Sequence, residues 1–313
     1  MGDLALVALV GFLASLVDGA LGMGFGPTSS TLLLASGFSP VTASATVNLA
    51  KVATGLASAV SHWRFGNIDR RLVLRLAMPG MAGAFLGAII LTLVDGDSLR
   101  PILAVMLLAM GIRITLRFSR SIGEAQVNGS RLLAASSPAK LQVGIAGGVG
   151  GLTNGLVGAW GPVVTPWLLH RGLPPRVAVG STNTAEVAVA VVSAGALIGS
   201  LGGRGIELGV ALAMIAGGVV AAPLGAYVIK VIPARLLGLA VGGLLMLTQV
   251  REFGRLVDSP VSGWISSGVV LFLVVLAGIR PHLDAQRRAE GPQHASDVAD
   301  QSARQPGVGV VDE

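Results

Sequence analysis

Apolar runs separated by short glycine-rich or charged stretches set the pattern of this chain. They fall at about 3–17, 27–37, 41–61, 72–94, 99–117, 140–156, 162–170, 176–200, 206–229, 233–250 and 262–279. A run of about 20 residues spans the hydrocarbon core of a bilayer as a helix, and several of these reach that length. The short ones come in two pairs, 3–17 with 27–37 and 140–156 with 162–170, and each pair flanks a glycine-rich break. The first break is Asp18-Gly-Ala-Leu-Gly-Met-Gly-Phe-Gly-Pro27 and the second is Gly155-Leu-Val-Gly-Ala-Trp-Gly-Pro162. Glycines followed by a proline interrupt a helix. At membrane depth an irregular backbone is tolerated only inside protein or along a watery cavity, which is where transporters place their substrates.

The pattern repeats. Sliding the chain by 135 residues places Gly26-Pro27 on Gly161-Pro162, Pro40 on Pro175, Asn48 on Asn183 and Lys51 on Glu186. After a three-residue insertion, Leu86-Gly87-Ala88 falls on Leu224-Gly225-Ala226. Coincidences in order at a nearly constant offset indicate an internal duplication. The expected organisation is a first membrane repeat at 1–117, a cytoplasmic linker at 118–139 and a second membrane repeat at 140–250. An extra transmembrane helix within 251–280 and a polar, disordered tail at 281–313 follow.

Charge supplies the orientation. Arg64–Arg75 holds four arginines against one Asp, whereas the stretch around Asp95 and Asp97 is acidic. Arg113, Arg117, Arg120, Arg131 and Lys140 mark the linker as cytoplasmic. In the second half the bias swaps: His170–Arg176 and Lys230–Arg235 are positive, while Arg204–Glu207 and Arg251–Asp258 are neutral. These biases fit if each short pair is re-entrant or crosses twice and three full helices follow it. The second repeat is then inverted, the N-terminus is outside, and the tail returns inside. The expected fold is thus an all-α polytopic membrane protein of two inverted repeats, each a short broken or re-entrant helix pair plus three transmembrane helices, with one extra C-terminal helix.

Composition narrows the class. The chain is 52% hydrophobic and only 12% charged, with a mean hydropathy of +0.76, well away from soluble domains. The net charge of +6 sits in the connections between apolar runs, so no nucleic-acid partner is expected. Cysteine is absent, which removes disulfides, thiol chemistry and Cys-based metal sites. The four histidines are scattered and there is no HExxH or GxxxxGK[ST], so no metal, cofactor, catalytic residue or built-in ATP motor is expected. The start, Met1 to Leu6, has no positive n-region, and Leu6 argues against myristoylation.

Candidate chemistry lies at the breaks and on the two helices that follow them. A helix starting near Gly24, Gly26 and Pro27 would aim the N–H groups of Thr28, Ser29 and Ser30 into the interior as an anion site, with Gly161 in the matching place. Ser44, Asn48, Lys51, Gly55, Ser58 and His62 recur at spacings of three and four, a small and polar stripe that a lipid-facing helix would not carry. The matching helix holds Asn183, Glu186, Ala190 and Ser193. A Lys at the centre of a membrane helix costs about 2.5–3.5 kcal/mol, so Lys51 and Glu186 need partners or a wet cavity. Lys51 could be the countercharge of an anion and Glu186 a proton-coupling carboxylate, or the two could form a salt bridge that joins the halves. Asp18 is a second coupling candidate, or pairs with Lys51. Asn154 could contact substrate or satisfy loose backbone. Trp160 reads as a packing residue, Trp63 and Trp264 as interfacial belt residues, and Gly83-x-x-x-Gly87 as a helix-packing face.

These residues also resemble a known family. Both glycine/proline breaks, Gly37-Phe-Ser-Pro40, Ala43-Ser-Ala-Thr46 with Lys51, Gly66-Asn-Ile-Asp69, Gly172-Leu-Pro-Pro175 and Ala178-Val-Gly-Ser181 resemble the sulfite exporter TauE/SafE-like family, also called toluenesulfonate uptake permeases. The resemblance covers about 5–250 and implies a polytopic anion transporter of the inner (plasma) membrane, built from two related halves. It implies a small anion as substrate: sulfite, an organosulfonate, or a related sulfur-containing or organic anion. Ala159 and Trp160 stand where glycines are common in the family. The substrate-binding set expected is Gly24, Gly26, Thr28, Ser29, Asn48, Lys51, Gly161, Ser181 and Asn183, with Glu186 and Asp18 for coupling. Two other classes remain open at this point: a passive anion channel, and a non-transport assembly factor or enzyme of the membrane. The oligomeric state is open, a homo-oligomer included.

Overall fold

A computed structural model describes residues 3–119, 137–202, 207–231 and 234–256. Among these residues there are ten α-helices and no strand. In chain order they are α1 Asp3–Leu21, α2 Phe25–Ala35, α3 Pro40–Arg64, α4 Arg70–Leu93, α5 Gly96–Ser119, α6 Ser137–Val157, α7 Gly161–His170, α8 Pro175–Leu201, α9 Leu208–Val231 and α10 Ala234–Leu256. Residues 120–136 of the expected linker, the 262–279 helix and the 281–313 tail lie outside the described residues, while the ends of the linker belong to α5 and α6.

The helix starts follow from local chemistry. Ser39 caps α3 by accepting from the Thr42 N–H at 3.1 Å, and Pro40 takes the first helical position, where its missing N–H costs nothing. Asp69 caps α4 by accepting from Arg71 and Leu72 at 2.8 and 2.9 Å. The helix α8 opens on Pro175 and closes on Gly202 in the left-handed region (φ 58°). Segments 70–93, 98–119, 175–201 and 235–254 are long and apolar enough to cross a membrane, and 4–19 and 208–221 are shorter apolar stretches. Leu6, Leu9, Leu13, Leu74, Met78 and Leu212 point outward, an apolar exterior of the kind lipid covers. The chain is a multi-pass membrane protein.

Packing between the halves is reciprocal. The first helix of each half packs on the fourth of the other, α1 on α9 and α6 on α4. The third helix of each half packs on the fourth of the other, α4 on α8 and α9 on α3. The third helices meet each other, α3 on α8, and so do the fifth, α5 on α10. Glycines bring the exchanged pairs to backbone contact. A Cβ at Gly83 would overlap the Gly148 carbonyl and one at Gly151 the Gly80 carbonyl across α4 and α6. Gly217 meets the Ala8 carbonyl in the same way across α9 and α1. Without a hydrophobic force between helices in lipid, such close approach is what holds them. This arrangement leaves α3 and α8 innermost: Asn48, Ser181, Thr182 and Ser193 are buried, as are Lys51 and Glu186.

Candidate functional site

The first break is shorter than the sequence suggested. The helix α1 runs past Asp18 to Leu21, and only Gly22, Met23 and Gly24 interrupt the chain before α2. Gly22 (φ 65°) and Gly24 (φ 138°) adopt backbone angles that an L side chain rarely takes. Gly24 is the N-cap, so α2 begins at Phe25 and not at Gly26-Pro27. This corrects the expected helix start and its free N–H groups. The Thr28 N–H bonds the Gly24 carbonyl at 3.0 Å, so Thr28, Ser29 and Ser30 are past the free donors. The Phe25 N–H points to Asp18, whose Oδ1 accepts it at 3.3 Å. A carboxylate from the chain itself therefore sits at the positive end of α2.

The second break spans Gly158, Ala159 and Trp160, with Gly158 at φ 67° and α7 starting at Gly161. Trp160 is fully buried and its Nε1–H donates to the Thr182 carbonyl at 3.2 Å, a packing role. The two breaks touch. A Cβ at Gly26 would overlap the Gly158 carbonyl, and one at Gly161 would lie 2.6 Å from the Gly22 carbonyl oxygen. Two hydrogen bonds tie them together: Ser30 Oγ donates to the Val157 carbonyl at 2.7 Å, and Thr165 Oγ1 to the Gly22 carbonyl at 2.8 Å. The 135-residue offset relates Ser30 to Thr165 and Gly22 to Val157, so one bond is the counterpart of the other. In this conformation the breaks form a closed backbone contact, and the polar space lies beside them.

Lys51 and Glu186 form a buried ion pair between α3 and α8, at 4% and 5% exposure. Lys51 Nζ also reaches the Gly158 carbonyl at 3.5 Å, which links the pair to the second break. Around it runs a polar network. Asn154 Nδ2 donates to Asn48 Oδ1 at 2.6 Å and to Ser193 Oγ at 3.0 Å, and Asn48 Nδ2 donates to the Ser44 and Asn154 carbonyls. Ser44 Oγ donates to the Gly155 carbonyl at 2.8 Å. On the other side of the ion pair, Asn183 Nδ2 donates to Ser58 Oγ at 3.2 Å. A cavity of about 20 Å³ lies there, lined by Ser15, Asp18, Gly19, Lys51, Thr54, Gly55, Ser58, Asn183 and Glu186. Several buried oxygens have no protein partner among the described residues, including Thr28 Oγ1, Ser29 Oγ, Asn154 Oδ1 and Asn183 Oδ1. Buried polar atoms left unpaired in this way call for a water, an ion or a ligand.

The structure therefore gathers Asp18, Lys51, Asn183 and Glu186 at one cavity, with Asn48 across the ion pair. Gly24, Gly26 and Gly161 shape the breaks. Ser181 stands apart: its Oγ accepts from the Asp69 N–H at 3.0 Å, and Gly180 packs against the Asn67 carbonyl. The 66–69 and 178–181 motifs thus meet each other and anchor the start of α4 on α8. Sequence reasoning missed Ser15, Gly19 and Thr54 as cavity residues, and Ser30 with Thr165 as the link between breaks. The last pair could have been found from the repeat offset.

Comparison with known proteins agrees with this architecture. The family model described as "Sulfite exporter TauE/SafE" matches residues 7–251. The chain is 37% identical over 278 residues to "Probable membrane transporter protein YtnM" of Bacillus subtilis (strain 168), covering 88% of this chain and 89% of that protein. It is 31% identical over 187 residues to "Probable membrane transporter protein YdhB" of the same organism, covering 59% of this chain and 75% of that one. "Probable membrane transporter protein ORF9" of Sinorhizobium sp is 30% identical over 114 residues, 36% of this chain and 43% of that one. No solved structure matches the chain.

Proposed function

The chain belongs to the sulfite exporter TauE/SafE family of membrane transporters, and on that premise we propose that it carries a small anion across the cell membrane by alternating access, with Lys51 passing between Glu186 and the substrate. The observation that carries this reading is the buried Lys51–Glu186 pair, set between α3 and α8 beside a polar cavity. Burying one charge without its partner costs several kcal/mol, so a free Lys51 is stable at this depth only against another anion. A substrate anion that takes Lys51 leaves Glu186 bare, and a proton then neutralises it. One anion and one proton move together, and the site holds no uncompensated charge at either stage. Asn48 and Asn183 supply amide donors on both sides of the lysine. The reciprocal packing suits two repeats inverted in the bilayer, and rocking the halves would separate the contact between the breaks. The substrate class that the family name suggests is sulfite, an organosulfonate or a related anion.

Purified protein in proteoliposomes tests this with a panel of sulfite, thiosulfate, sulfonates and carboxylates, with and without a pH gradient. The expected result is saturable uptake of one class, driven uphill by the gradient. Flux that dissipates gradients without counterflow would identify a channel instead, and absence of flux for every anion would overturn transport of this class.

A further inference from the structure

Gly19 and Asn154 are one of the related pairs at which the two halves differ, and Gly19 lies on the cavity. The repeat offset relates Asn154 to Gly19, Asn48 to Asn183 and Ser193 to Ser58. In the second half the Asn154 amide bridges Asn48 Oδ1 and Ser193 Oγ. In the first half Gly19 offers no side chain, Asn183 Oδ1 has no protein partner among the described residues, and the cavity lies beside Asn183 and Ser58. Asn183 is 2% exposed. An atom standing where the Asn154 nitrogen stands in the other half would donate to both Asn183 Oδ1 and Ser58 Oγ. The volume of about 20 Å³ fits a single water, which needs polar partners of this kind.

We propose that the cavity beside Gly19 is a water site that takes the place of the Asn154 amide, and that it delivers protons to Glu186 through the first half only. This rests on the coupling role proposed for Glu186. The water accepts a proton from the Ser58 and His62 side, passes one to the Glu186 carboxylate when Lys51 has left it, and is water again afterwards. The groups that face it are Asp18 from α1, Lys51 from α3 and Glu186 from α8, with His62 on α3 within electrostatic reach of Asp18. From α9, Gly218 closes the side against Ser15 and Thr54 and brings no charge. The access is one-sided in the sequence as well: below Ser58 the stripe continues to His62, whereas below Ser193 the related position is the buried Leu197.

The test is Gly19→Asn, which places in the first half the amide that seals the second. Infrared spectroscopy of purified Lys51→Met protein, in which Glu186 has lost its ion-pair partner and takes up a proton, follows the protonated carboxyl band that disappears when Glu186→Gln is added, and its rate of deuterium exchange. In that background Gly19→Asn is expected to slow the exchange about tenfold or more, and Gly19→Ala to slow it less. A folded Gly19→Asn variant that exchanges as fast as its Lys51→Met parent would overturn the site; if that variant does not fold, unslowed exchange with Gly19→Ala does the same. Because the band reports Glu186 without any substrate, a failed flux assay leaves this outcome readable.

Discussion

The Lys51–Glu186 pair predicts an asymmetry between single and double variants. Lys51→Met strands a buried carboxylate and should lower stability by about 3–5 kcal/mol, read as a fall in the thermal unfolding midpoint. Adding Glu186→Gln in the same chain should return most of that stability, while transport stays lost. If the double variant unfolds as readily as the single one, the pair is not the cause. At this scale the sequence was informative where a residue conflicts with its surroundings: a lysine and a glutamate inside apolar helices stand out because each costs energy there. It was silent about Gly19, since a missing side chain leaves no pattern until its counterpart Asn154 is seen bridging two helices. It was equally silent about the partner of Ser181, whose Oγ accepts from the Asp69 N–H.

Among elements, the breaks depend on glycine at points of backbone contact. Gly26→Ala should disrupt the junction with Gly158 and reduce folded, monodisperse protein, whereas Gly195→Ala, with nothing near its Cβ position, should be tolerated. Equal losses from both would contradict the packing described. Ser30→Ala and Thr165→Ala, which remove counterpart hydrogen bonds, should each cost about 1 kcal/mol in unfolding free energy. The helices were legible from hydropathy, including the placement of α3 and α8 by their polar stripes. Their ends were less so. Gly19 is accommodated inside α1, at a propensity cost of about 1 kcal/mol, and Asp18 draws the start of α2 back to Phe25 by accepting its N–H. Neither effect belongs to a residue type alone; both come from what the residue meets.

For the whole molecule, the matches at an offset of 135 residues stand in the sequence, but not that the first helix of each half packs on the fourth of the other. That packing depends on which glycine faces fit which backbone, a matter of shape rather than period. The proposed inversion gives a direct topological prediction, and the absence of native cysteine makes it clean to measure. A cysteine at Arg71 should react with an impermeant maleimide only from the cytoplasm, and one at Val94 only from outside; labelling of both from one side would refute that orientation. The central claim is that an anion on Lys51 and a proton on Glu186 move together. It is tested most directly by anion-driven proton movement in proteoliposomes loaded with a pH-sensitive dye, using the transported member of the panel. Wild-type protein should move protons with the anion, and Glu186→Gln should still exchange anion for anion without moving protons. Unchanged proton movement in a folded Glu186→Gln protein would contradict the account.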